Sequence, residues 1–141
     1  MAEHNSLGRW GEDIAIQYLA SKGYVIRETN WRLEHLEIDI VAELNQRIVF
    51  VEVKTRRSAT NDPIKAINSA KQNNLLRAAN AYAKFTRCRR GIQIDLIAIV
   101  GDQHNYTIEH IPDFVRPKLK TYRNYIHSKH SELNKPKHTP K

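Results

Sequence analysis

Four charged residues stand at spacings that could gather them on one small patch: Glu37 and Asp39, then Glu52 and Lys54. Each pair is two residues apart in a stretch that alternates in polarity, so each pair shares one face of a β-strand. Leu36, Ile38, Ile40 and Ala42 alternate with Glu37, Asp39 and Val41; Val49, Val51 and Val53 alternate with Ile48, Phe50, Glu52 and Lys54. Leu36–Glu43 and Ile48–Lys54 are therefore expected as strands, joined through the short Leu44–Arg47 connection as an antiparallel hairpin. Register then decides the chemistry. If paired positions sum to an odd number, as when Leu44 pairs with Arg47, Asp39 lies opposite Glu52 and Glu37 opposite Lys54. An even sum sends Asp39 and Glu52 to opposite faces.

Carboxylates facing each other across two strands repel unless something cationic sits between them. Mg²⁺ and Mn²⁺ suit that place, being hard ions that take carboxylate, carbonyl and water oxygens. Such an ion acidifies a water and neutralises charge growing on a scissile phosphate, and Lys54 would then orient or help deprotonate the attacking water. The ordinary alternative is the solvent face of an amphipathic hairpin held by cross-strand ion pairs. Against it, Glu52 and Lys54 share their face with Ile48 and Phe50 in the most hydrophobic run of the chain, where unpaired charge is expensive.

The elements that must position these residues can be read around them. Ser6 is a candidate cap for a helix whose stripe is Leu7, Trp10, Ile14, Tyr18 and Leu19, with Gly23 as its stop. Tyr24–Arg27 reads as a short strand, followed by a loop through Asn30 and Arg32. Asp62 as N-cap and Pro63 at the first helical position predict a helix through Ile64, Ile67, Ala70, Leu75, Ala78, Tyr82 and Phe85, to about Lys84. Ile92–Val100 and Tyr106–Ile111 complete the pattern as strands. The order is αβββαββ, an α/β fold.

A chain of 141 residues with 40% hydrophobic content fits one domain able to bury its own core. Cys88, the single cysteine, allows neither a disulfide framework nor a thiolate zinc site within one chain, which suits a reducing cytosol. No apolar run approaches the ~20 residues that span a bilayer, and Met1–Ser6 lacks the regions of a signal peptide, so the expected location is cytoplasmic with no membrane partner. The seven histidines show no paired metal-ligand spacing, and neither a P-loop nor a dinucleotide fingerprint occurs. The net charge of +8 is uneven: residues 1–115 carry 15 Lys/Arg against 14 Asp/Glu, and residues 116–141 carry 8 against 1. Residues 1–115 are thus the expected domain. Residues 116–141 are expected as a basic, disordered tail, with one docking turn at Tyr122, Tyr125 and Ile126. Such a tail attracts phosphate backbones or simply stays solvated.

An acidic residue on an early helix, Asp on one strand and Glu-x-Lys on the next resemble the PD-(D/E)XK nuclease superfamily. The ordered set Gly8-x-x-Gly11-Glu12, Gly23-Tyr24, Asn30-x-Arg32, Glu37-Ile38-Asp39 and Phe50-Val51-Glu52-Val53-Lys54-Thr55-Arg56 is similar to its small YraN-type branch, over about Leu7 to Val100. The resemblance implies a restriction-endonuclease-like αβββαβ core around a mixed sheet, kinship with Holliday-junction resolvases, and Mg²⁺- or Mn²⁺-dependent cleavage of DNA in repair or recombination. It implies Asp39 and Glu52 as metal carboxylates, the Val53 carbonyl as a further ligand, Glu12 as an extra acidic ligand and Lys54 as the water-orienting base. Ile38 stands where the superfamily's proline would be, and Gln93-Ile94-Asp95 departs from the Arg-Phe-Asp of close relatives. Resolvase kin act as symmetric dimers, so a homodimer would fit paired cuts, although no dimerisation stripe is evident here.

Lys71 and Gln72 fall where the family carries basic or amide residues near the site; the ordinary reading is solvated helix positions. Arg32 belongs to the family pattern as a nucleic-acid contact. Arg56 and Arg57 could grip a flanking phosphate, with Arg87, Arg89 and Arg90 extending the same track. Trp10 and Trp31 read as packing before base stacking. Beside the endonuclease stand a non-catalytic nucleic-acid-binding module and a scaffold for a processing partner. The intact Asp39, Glu52 and Lys54 set favours the enzyme, because a binding module gains nothing from two repelling carboxylates.

Overall fold

The computed structural model describes residues 2–58 and 62–115, with side chains from Ser6 onward. The basic tail, and the docking turn and disorder expected in it, lie outside the described residues. The elements are α1 (Ala2–Ser21), β1 (Val25–Leu33), β2 (Leu36–Leu44), β3 (Arg47–Arg56), α2 (Ser69–Phe85), β4 (Gln93–Gly101) and β5 (Tyr106–Ile111). They form an α/β fold with one mixed sheet in the order β1-β2-β3-β4-β5, antiparallel except for the β3–β4 pair. Parallel neighbours need a crossover, and α2 lies within it.

The β2–β3 hairpin adopts the odd-sum register, from Leu44↔Arg47 to Ile40↔Val51. Asn45 and Gln46 both take positive φ, 50° and 66°, the two-residue turn whose twist matches paired strands. The two helices cover opposite faces. Ala15 and Leu19 of α1 pack on Ile40, Ala42, Val49, Val51, Ile97 and Ile99. Leu75, Ala78, Ala79 and Tyr82 of α2 pack on Ile38, Val41, Ile48, Phe50 and Ile94. Central β3 and β4 are buried on both faces, which is why they read as near-continuous apolar runs.

Three boundaries differ from expectation. No helix-breaking residue precedes Ser6, and α1 extends back to Ala2, so Ser6 lies inside it. The loop expected through Asn30 and Arg32 is strand: β1 runs to Leu33, absorbing its polar residues with a register shift between Ile26 and Glu28 and with Asn30 at φ 50°. An edge strand facing solvent shows little alternation, which disguised it. Asp62 and Pro63 open a turn, not the helix. Asp62 Oδ1 accepts from the Ile64 N–H at 3.0 Å, and α2 begins after Asn68, whose Oδ1 accepts from the Lys71 N–H at 2.8 Å. Ile67, 5% exposed, anchors the chain between the two caps.

Candidate active site

Where the β2–β3 ladder stops, a side chain takes over. Beyond Ile40↔Val51 the Val53 N–H donates to Asp39 Oδ2 at 2.8 Å. On the other flank, pairing with β1 passes from Thr29↔Ile40 to Trp31↔Ile38 across Asn30 and its positive φ. Ile38 packs on the α2 side and Ile40 on the α1 side although two residues separate them, so face alternation breaks at Asp39. The strands fork there, and the Asp39 carboxylate fills the fork. Glu52 continues the Ile48–Phe50 face of β3 and is itself buried, 8% exposed. The facing of Glu37 and Lys54 expected from the register does not form; Glu37 pairs with Arg32 of β1 at 3.4 Å.

Burial dominates the electrostatics of this pair. Desolvation first, and the Asp39 charge second, push the Glu52 carboxyl up to about 8 against the opposing pull of Lys71. Desolvation also raises Asp39, partly offset by the Val53 N–H and by Lys71. Glu52 Oε1 lies 3.5 Å from Lys71 Nζ, while Oε2 is buried without a hydrogen-bond partner among the described residues. An orphaned, buried carboxylate oxygen beside a second, half-buried carboxylate is costly unless a proton or a cation joins them.

Lys71 reaches Glu52 because Asn68 fixes the start of α2 there. The neighbouring Gln72 turns its amide back to the Ile67 carbonyl, 2.9 Å, so it secures the helix entry. Lys54, with Arg56, lines a hollow of about 310 Å³ over β4 and β5, and among the described residues neither joins an ion pair. Arg57 lies farther on, beside Trp10 and Asp102 in a second hollow of about 400 Å³. Arg32 projects largely into solvent against Glu37. Glu12 on α1 is raised by burial and then by the Asp39 charge, so it stands near the fork. Yet no three acidic, histidine or cysteine side chains among the described residues converge as a metal-ligand group. The carboxylate set is Asp39 with Glu52.

Arg87, Arg89 and Arg90 do not extend the Arg56–Arg57 track. They gather with Ile48, at the start of β3, whereas Arg56 closes that strand. Trp31 stacks edge-on against Tyr82 at 5.3 Å within the core, as packing.

Sequence reasoning missed a buried network at the N-terminal end of β4. Asp95, fully buried, accepts from Gln93 Nε2 (3.1 Å) and from the Asp113 N–H (2.9 Å) through Oδ1, and meets His110 Nε2 at 2.8 Å through Oδ2. His110 Nδ1 in turn lies 3.2 Å from the Tyr18 hydroxyl of α1. The available signal was a lone aspartate inside an apolar run, which demands partners. Also missed was Gly11, where a Cβ would overlap the Thr55 hydroxyl. Without a side chain at that position, α1 can approach the β3 strand that carries Glu52 and Lys54.

Comparison with known proteins finds relatives over most of the chain. Residues 11–99 match the model of the family described as "Uncharacterised protein family UPF0102". A UPF0102 protein of Bacteroides thetaiotaomicron is 42% identical over 120 residues, 84% of this chain and 99% of the relative. Another, from Flavobacterium psychrophilum, is 41% identical over 114 residues, 80% of this chain and 96% of the relative. Among solved structures, one titled "Crystal structure of SSO0001" is similar at 15% identity, over 90% of this chain and 61% of that one, with a TM-score of 0.30, too low to carry an argument. The described residues contain no helix long and apolar enough to cross a membrane. The chain belongs to the UPF0102 family, the YraN-type branch of the PD-(D/E)XK nuclease superfamily.

Proposed function

We propose that this protein is a metal-dependent endonuclease of the cytoplasm that hydrolyses nucleic-acid phosphodiesters, with DNA in repair or recombination as its substrate. One observation carries the reading: the buried Glu52 carboxylate lies beside the half-buried Asp39 of the neighbouring strand, and Glu52 Oε2 has no hydrogen-bond partner among the described residues. A binding module has no use for that cost. The pair fits Mg²⁺ or Mn²⁺, since such ions take one or two carboxylates and complete their shell with water. Asp39 and Glu52 would hold the ion, with the Val53 carbonyl as a further ligand and Glu12 in support nearby. The ion would supply charge neutralisation at the scissile phosphate and a more acidic water. Lys54 would orient the attacking water and take part in removing its proton. Arg56 and Arg57 would grip flanking phosphates as guanidinium forks, and Arg32 would reach the strand from β1. Lys71 and Gln72 would hold the α2 side of the site in place.

The test is cleavage of a four-way junction, with single-stranded, duplex and flap substrates beside it, by wild type and Glu52→Gln in Mg²⁺ and in Mn²⁺. Wild-type cleavage that Glu52→Gln abolishes without unfolding supports the enzyme. Equal residual activity in the two proteins means a contaminating nuclease and transfers the assignment to the binding module.

A further inference from the structure

Between Asp62 and Asp95 the chain carries seven Lys/Arg and no Asp or Glu. This acid-free segment contains all of α2, whose solvent side presents Lys71, Asn73, Asn74, Arg77 and Lys84. Lys71 marks one end, at Glu52. At the other end Arg87, Arg89 and Arg90, joined by Arg27 of β1, surround a hollow of about 330 Å³ floored by Ile48 and Tyr82. Four guanidiniums converge there. Among the described residues the one carboxylate paired with them is Glu43, which accepts from Arg90 Nη1 at 2.9 Å and Arg27 Nη1 at 3.3 Å and so holds two of the four in position. Among the described residues Arg87 and Arg89 join no ion pair.

The usual reason for cations at a helix C-terminus is its unsatisfied carbonyls. That reason is weak here. The Tyr82, Ala83 and Lys84 carbonyls already accept from the backbone N–H groups of Thr86, Cys88 and Arg87, at 2.9, 2.8 and 3.2 Å. Arg87 moreover occupies the left-handed region, φ 55°, where a helix exit favours glycine. The arginines are thus not needed as caps, and forks of this kind match phosphate oxygens.

We propose that this hollow is a phosphate-binding site for the backbone of a nucleic-acid strand that runs along the outer side of α2 to Asp39 and Glu52. The proposal rests on the nuclease reading above and adds where the flanking strand lies. From Lys71 to Thr86 the helix rises about 22 Å. That is the span of about six phosphates along one strand of a duplex. Along that distance the acid-free side of α2 offers Lys71, Asn73, Asn74, Arg77 and Lys84, with the exposed ring of Phe85 at its end.

The experiment uses full-length Glu52→Gln protein in EDTA, so that binding is read without turnover. A labelled 20-bp DNA duplex is titrated at several salt concentrations by fluorescence anisotropy. The Arg87→Gln/Arg89→Gln pair is compared with Arg9→Gln/Lys22→Gln, an equal loss of charge on α1 and the turn that follows it, across the sheet. The expected result is a loss of about tenfold or more for the first pair only, with the salt slope shallower by about 1.8, which is ~0.9 for each of two phosphates. Equal losses in both pairs would reduce the effect to net charge and overturn the site, as would no loss in the first. A parallel cleavage assay with otherwise wild-type protein in Mn²⁺ separates the two levels. Cleavage with unchanged duplex affinity in the arginine variant sinks the hollow alone, whereas absence of both cleavage and duplex binding sinks both.

Discussion

Lys71 Nζ stands 3.5 Å from Glu52 Oε1, so the cation paired with the buried carboxylate comes from α2 and not from the strand that carries it. The pH dependence of stability follows from this arrangement. In the folded state Glu52 holds its proton up to about 8, against an ordinary value of 4.5, chiefly because it is buried and secondly because Asp39 is beside it. The folded protein therefore keeps a proton that the unfolded chain releases. Stability is fully present below the unfolded value and is lost as pH rises toward the folded one. Melting of metal-free protein should drop by several degrees between pH 5 and pH 9, and Glu52→Gln should flatten the profile. Lys71→Gln should deepen the fall at pH 9 and do nothing at pH 5, by less than about 1 kcal/mol because the ammonium is half exposed. Millimolar Mn²⁺ should restore the wild type at high pH. A wild-type profile as flat as that of Glu52→Gln would mean that the carboxylates are not buried together.

Much of this site was legible in the sequence because strand periodicity is strict. Alternation placed Glu52 on the Ile48–Phe50 face, and of the two registers left open by the sequence the Asn45–Gln46 turn selects the odd-sum one, Leu44↔Arg47. The break of alternation at Asp39 was not legible, since it depends on Asn30 in a neighbouring strand that read as a loop. Lys71 presents the same limit. Its role depends on where α2 begins, which the sequence reading put at Asp62, whereas Asn68 caps the helix. The distribution of arginines was misread for a similar reason: Arg56 and Arg87 lie at opposite ends of β3, a separation set by the direction of the α2 crossover.

Gly11 tests how closely α1 must approach the site. A methyl group there would meet the Thr55 hydroxyl and Cβ, both in the packed region next to Lys54. Gly11→Ala should cost about 1–3 kcal/mol by overpacking, read as a lower urea midpoint with unchanged slope. Thr55→Ala combined with it should recover part of that loss, since the hydroxyl goes while Cβ remains. Additive losses in the double variant would mean that the two positions do not touch.

Asp95 is expected to be structural. Its carboxylate satisfies Gln93, the Asp113 N–H and His110 at the meeting of β4, β5 and the following turn. Asp95→Ala would leave those groups buried without their acceptor, a cost of about 3 kcal/mol or more. His110→Phe should cost less, because it removes one partner and keeps the ring volume against Tyr18. Both variants should retain the metal affinity of whatever fraction stays folded, measured by calorimetry. A selective loss of metal binding in Asp95→Ala would bring this network into the active site.

Lys54 and the carboxylates should separate cleanly into chemistry and metal binding. Asp39→Asn and Glu52→Gln keep shape but remove hard-ion affinity, and in metal-free buffer at pH 8 both should melt higher than wild type because the mutual repulsion is gone. Lys54 sits past the carboxylates, lining the hollow with Arg56, and among the described residues it holds no ion pair that would be broken by its loss. Lys54→Ala should therefore leave stability and Mn²⁺ affinity within error of wild type while lowering cleavage by about a hundredfold or more, the scale at which a positioned proton-transfer group contributes. Lys54→Arg, which keeps charge but not the titratable amine, should remain similarly impaired. If Lys54→Ala instead weakened Mn²⁺ binding as far as Glu52→Gln does, the lysine would be supporting the carboxylates, and the handling of the attacking water would have to be sought at Lys71.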